Sequence, residues 1–93
     1  MVPREEPPLL RLYTRPGCGL CHELEQALAP AVARGRIRIE LVDIHGNQEL
    51  EEAYGSCIPV LAWRGRVLAK GRINPEEALA RLERWRAREE AGA

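Results

Sequence analysis

Apolar and polar positions along this chain follow two periods, one of two residues and one near 3.6. Leu9-Leu10-Arg11-Leu12-Tyr13-Thr14 is a short apolar run stopped by Arg15-Pro16-Gly17. The run predicts a strand buried mostly on both faces, and its end is a turn signal. Leu20, Leu24, Leu28 and Val32 then recur at helical spacing. Pro30 falls inside that pattern and is expected to kink or shorten the helix, while Gly35 marks its end. Ile37, Ile39 and Leu41 alternate with Arg38 and Glu40, a strand pattern that continues into Val42-Asp43-Ile44. His45-Gly46-Asn47 reads as a turn, with Asn47 capping a short helix from Gln48 to Tyr54 that Gly55 closes.

Pro59-Val60-Leu61-Ala62-Trp63 predicts a third strand, and Arg64-Gly65 a tight connection into Arg66-Val67-Leu68-Ala69, hence a hairpin. Asn74-Pro75-Glu76-Glu77 combines a cap, a proline at the first helical position and a Glu three residues after the cap. Ala78, Leu79, Leu82 and Trp85 give the helix that follows an apolar stripe. Residues 1–8 hold three prolines and three charges and read as an extended leader. Residues 87–93 are polar and are expected to fray.

The element order is strand, helix, strand, helix, strand, strand, helix. The first half is a βαβ unit, which implies parallel strands joined by a right-handed crossover. The second half adds an antiparallel hairpin and a closing helix. The class is α/β with a four-stranded mixed sheet. No repeat, low-complexity segment or second domain interrupts it, so residues 1–93 form one domain with a single modest core.

Composition changes this picture mainly by exclusion. Fourteen basic residues balance fourteen acidic ones, so the basic excess of a nucleic-acid binder is absent. No apolar run is long enough to span a bilayer, and no membrane partner is expected. The N-terminus lacks the apolar core of a signal peptide, which points to the reducing cytoplasm. Three cysteines there suggest catalysis, sensing or metal binding rather than a permanent staple.

Candidate chemistry centres on Cys18-Gly19-Leu20-Cys21, placed between the first strand and the first helix. Two cysteines at this spacing can close and reopen a small disulfide, and a helix N-terminus stabilises a thiolate. Cys18, at the helix start and more exposed, is the expected nucleophile. Cys21, one turn in, is the expected resolving thiol. Arg15 is either a cation that favours the thiolate or a solvated turn residue. His22 is either a proton partner or a helix-surface residue. His22 also completes Cys-x-x-Cys-His, the attachment motif of c-type haem. That reading needs export and a distal ligand, and the sole methionine is Met1. A zinc site could use Cys18, Cys21, Cys57 and a histidine, but no second half-site exists.

Tyr13, Arg15 and the Cys pair, the Tyr54-Gly55 helix end and Ile58-Pro59-Val60-Leu61 together resemble the glutaredoxin-like branch of the thioredoxin superfamily. The resemblance runs from about Leu9 to Trp85. It implies a thioredoxin-like fold, β-α-β-α-β-β-α, and thiol–disulfide oxidoreductase activity on a protein or small-thiol disulfide. It also implies a cis peptide bond before Pro59, with Ile58, Pro59 and Arg15 contacting substrate. Thioredoxins proper carry a buried Asp where Leu12 stands here. The acidic glutathione contact of glutaredoxins has no counterpart in Lys70-Gly71-Arg72-Ile73-Asn74, although glutathione stays a possible partner. Cys57 stands where glutaredoxins often have Thr. It is a partner for an alternative disulfide, a third redox thiol, a metal ligand or a small buried apolar residue. Some relatives hold an iron–sulfur cluster between subunits, so a metal- or cluster-binding protein is the alternative function. The primary reading needs no cofactor, and a monomer is expected.

Overall fold

The computed structural model describes residues 6–92. Its elements follow the order read from the sequence: β1 (Leu9–Thr14), α1 (Gly19–Ala33), β2 (Arg38–Asp43), α2 (Gln48–Tyr54), β3 (Val60–Trp63), β4 (Arg66–Lys70) and α3 (Pro75–Gly92). The four strands form one mixed sheet in the order β2-β1-β3-β4. β1 and β2 are parallel, as a helical crossover requires. β3 runs antiparallel to both β1 and β4. This is the thioredoxin-like arrangement.

Strand alternation decides which face each side chain serves. Leu10 and Leu12 of β1, Leu61 and Trp63 of β3 and Leu68 of β4 meet Leu24 and Leu28 of α1 and Leu79 and Leu82 of α3 in the main core. Each such leucine stabilises the fold by roughly 1.5–3 kcal/mol through removal from water. Tyr13 leaves the opposite face of β1, where its ring lies 4.7 Å from that of Tyr54 in α2. Thus α1 and α3 cover one face of the sheet and the shorter α2 lies against the other.

The buried side of α1 is Cys21, Leu24, Leu28 and Ala31. Val32, assigned to the stripe by its spacing, is 41 % exposed. Small Ala31, one position earlier, lies closer to the line through Leu24 and Leu28. Pro30 does not shorten the helix, which continues to Ala33. Gly35, at φ +75°, then ends it. The Gly35 and Arg36 N–H groups donate to the Val32 and Ala31 carbonyls, satisfying the last turn.

Both cap assignments hold. Asn47 Oδ1 accepts from Leu50 N–H, and Asn74 Oδ1 accepts from the N–H groups of Glu76 and Glu77. Arg64 and Gly65 both have positive φ, which matches the twist of the β3–β4 hairpin. A bulge between Leu61 and Ala62 offsets that ladder.

The polar end of α3 packs against the hairpin. The helix runs to Gly92; Glu89 pairs with Arg64 of the hairpin turn, and Arg66 lies 4.1 Å over the Trp85 ring. Ala93 lies outside the described residues, as do residues 1–5 of the leader. The end of the leader is anchored. The Pro7 and Pro8 carbonyls accept from Arg38, at Nε and at the backbone N–H.

Candidate functional site

β1 ends at Thr14, and the turn that follows delivers Cys18 to the start of α1. Gly17 sits at φ +83° in this turn, a conformation that a side chain would oppose. The Cys18 N–H donates to the Arg15 carbonyl, closing the turn. Cys18 is the N-cap of α1, and the Cys21 N–H donates to its Sγ at 3.1 Å. A sulfur thus occupies the acceptor position usually taken by a Ser or Asp oxygen. A helix-terminal N–H aimed at that sulfur favours its anionic form.

Cys18 and Cys21 are joined as a disulfide, with Cα atoms 5.3 Å apart. Their environments differ in the sense needed for exchange. Cys18 is half-buried at the surface, whereas Cys21 is 3 % exposed and packs beneath it. An incoming sulfur can approach Cys18 from solvent but has no comparable access to Cys21.

Arg15 is held elsewhere. Its guanidinium donates to Glu51 Oε1 of α2 at 3.3 Å, and the other carboxylate oxygen accepts from Gly46 N–H. Glu51 therefore ties the loop before Cys18 to the turn before α2. Arg15 is neither freely solvated nor an unopposed cation. The spacing of the sequence offered no sign of this partner, 36 residues away. His22 and Glu23 are exposed on α1. Leu12, at the position of the thioredoxin Asp, is fully buried in the core.

The Ile58–Pro59 peptide bond is cis, and Pro59 is buried. The antiparallel register pairs Tyr13 with Val60. Continued by one residue, it sets Pro59 beside Thr14, at the end of β1 from which the Cys18 turn departs. Gly71 N–H donates to both the Cys57 and Pro59 carbonyls, at 2.9 and 2.8 Å, and so anchors the loop at two points. Between them, the backbone N–H and C=O of half-buried Ile58 have no hydrogen-bond partner among the described residues. Cys57 is a free, half-buried thiol whose N–H donates to the Tyr54 carbonyl. Among the described residues, no group of three or more His, Cys, Asp or Glu is placed to hold a metal ion.

The family assignment follows from comparison with known proteins. Residues 9–85 match the model of the glutaredoxin-like domain (DUF836). The chain belongs to the glutaredoxin-like family. This glutaredoxin-like chain is 30 % identical over 80 residues to the glutaredoxin-like protein YDR286C homolog of Dictyostelium discoideum, covering 80 % of this chain and 74 % of that one. It is similar in structure to protein Ne2328 of Nitrosomonas europaea, with a TM-score of 0.70 and 29 % identity over 86 % of this chain and 96 % of the other. A malarial protein shares the fold at a TM-score of 0.57 and 16 % identity, over 84 % of this chain and 96 % of that one. The Cys18–Cys21 pair of this glutaredoxin-like domain fits a redox role. Among the described residues, no helix is long and apolar enough to cross a membrane.

Proposed function

We propose that this glutaredoxin-like protein is a cytoplasmic thiol–disulfide oxidoreductase, with Cys18 as nucleophile and Cys21 as resolving thiol. The observation that carries the reading is the asymmetry of the pair. Cys18 caps α1, half-buried at the surface and facing the Cys21 N–H, while Cys21 lies buried behind it.

The exchange has two steps. The Cys18 thiolate of the reduced protein attacks one sulfur of a substrate disulfide. A mixed disulfide forms, and the other substrate sulfur leaves as a thiolate that takes up a proton. The Cys21 thiol loses its proton and attacks Cys18 Sγ, forming the Cys18–Cys21 disulfide and releasing the second substrate sulfur. Two electrons pass from the cysteine pair to the substrate, and the two thiol protons end on the products. A thiol reductant then restores the pair.

The unpaired backbone groups of Ile58, held beside buried Pro59, suit an extended substrate segment laid across Cys18. Arg15 acts by fixing the turn through Glu51. Substrate is a protein or small-thiol disulfide, and the protein works as a monomer. The test is insulin-disulfide reduction with dithiothreitol as electron source. Wild-type protein should accelerate it, and Cys18→Ser should abolish the acceleration. Equal rates with wild-type, Cys18→Ser and no protein would remove the reading.

A further inference from the structure

A groove of about 570 Å³ opens directly beside Cys18, between the start of α1 and edge strand β2. Arg15, His22, Glu25, Leu41 and Asp43 line it together with Cys18. Leu41 is 50 % exposed, although its β1 neighbour Leu12 is fully buried. An apolar side chain is thus presented to solvent next to the reactive sulfur.

The charges around the groove do not cancel. The one arginine on its wall, Arg15, is already paired with Glu51, which lies outside the groove. Glu25 has no hydrogen-bond or ion-pair partner among the described residues. Asp43 accepts only the His45 N–H, through one oxygen, and has no cation partner there. Two carboxylates therefore line the groove beside Cys18 with no cation paired to either among the described residues.

We infer that this groove selects the substrate: it favours polypeptide disulfides with a basic and an apolar residue close to the target cysteine, and it disfavours glutathione disulfide. The inference rests on the redox reading above and names its substrate class. Glutathione carries two carboxylates against one ammonium, so each half of its disulfide brings net negative charge to an already negative groove. A Lys or Arg beside the target cysteine meets Glu25 or Asp43, and an apolar neighbour covers Leu41. Each exposed contact contributes weakly, so the attraction of a Lys and the repulsion of a Glu in its place together should give about a three- to tenfold preference at low salt. The preference should shrink as ionic strength rises, because the Debye length falls to about 8 Å at physiological salt.

The experiment uses pre-reduced full-length protein in single turnover without added reductant. Two disulfide-linked peptides differ only in Lys-Leu or Glu-Leu beside the cysteine, and glutathione disulfide is the third oxidant. The expected rate ratio of the basic to the acidic peptide is about three to ten in wild-type protein. Glu25→Gln with Asp43→Asn should lower that ratio towards the value set by the Cys18 thiolate alone. Glu83→Gln on α3, remote from the groove, should leave it at the wild-type value. Because the measurement is a ratio, partial loss of folded protein in a variant does not mimic the result. A ratio unchanged by the double substitution, or faster reduction of glutathione disulfide than of the basic peptide, overturns the selection. Transfer to none of the three oxidants would instead overturn the redox reading, and this inference with it.

Discussion

Replacement of Gly55 by alanine sets two rules against each other, and the structure decides between them. In an exposed helical position, Gly→Ala stabilises by up to about 1 kcal/mol, because alanine loses less backbone entropy. Gly55 closes α2 in ordinary right-handed helical geometry, so no backbone conformation opposes the change. A Cβ there would lie 2.5 Å from the Glu51 carbonyl oxygen and 3.2 Å from Arg15 Nη2. The first neighbour is backbone, and the same oxygen accepts the Gly55 N–H at 2.8 Å. Relief of the overlap must therefore move the end of α2 or the Arg15–Glu51 pair. Such overpacking costs typically about 1–3 kcal/mol, which exceeds the propensity gain. A net loss of about 1 kcal/mol lowers Tm by roughly 4–8 °C in a domain this small. Thermal unfolding of the oxidised protein, followed by circular dichroism, measures it. Gly19→Ala is the control: a Cβ at that helical position meets nothing within 4 Å, so its Tm should stay level or rise. A Gly55→Ala protein that melts at or above wild type would refute the reasoning.

Other outcomes follow from the same contacts. Cys21→Ser should accumulate a mixed disulfide with substrate at Cys18, visible by mass spectrometry, because the buried resolving thiol is gone. A mixed disulfide at Cys57 instead would reverse the assignment. Reduced protein should be alkylated at Cys18 by iodoacetamide at lower pH than free cysteine, which titrates at about 8.5, since the helix N-terminus and the Cys21 N–H both favour the thiolate. An alkylation profile at or above that of free cysteine would show that the helix end contributes nothing. Leu28→Ala removes a fully buried core side chain and should destabilise by about 2–5 kcal/mol in chemical denaturation. A loss below 1 kcal/mol would mean that α1 is not packed as described.

Most of the fold is legible in the sequence because its signals are local. Asn47 and Asn74 cap helices where their side chains reach the next backbone donors, and the alternation from Ile37 to Leu41 marks β2. The Cys pair is equally visible, since its spacing and helix start lie within four residues. The sequence is silent where distant parts of the chain meet. Nothing local shows that Glu89 of α3 meets Arg64 across 25 residues. Nor does anything local show that Arg15, beside Cys18, pairs with Glu51 across 36 residues. The groove beside Cys18 is not readable at all. Leu41 and Asp43 are ordinary surface residues until the parallel pairing of β1 and β2 sets them beside the turn, opposite Glu25 of α1. The choice between Leu20–Val32 and Cys21–Ala31 as the buried stripe of α1 likewise depends on how the helix meets the sheet.

The central claim is that the Cys18–Cys21 bond is made and broken in use rather than kept as a staple. Its reduction potential tests this most directly, by equilibrating the protein with defined dithiothreitol or glutathione redox buffers and quantifying the thiols of each cysteine by mass spectrometry. A working pair should equilibrate reversibly at a potential between about −270 and −120 mV, the span of known exchange proteins. A potential below about −300 mV, where structural disulfides fall, would contradict the account.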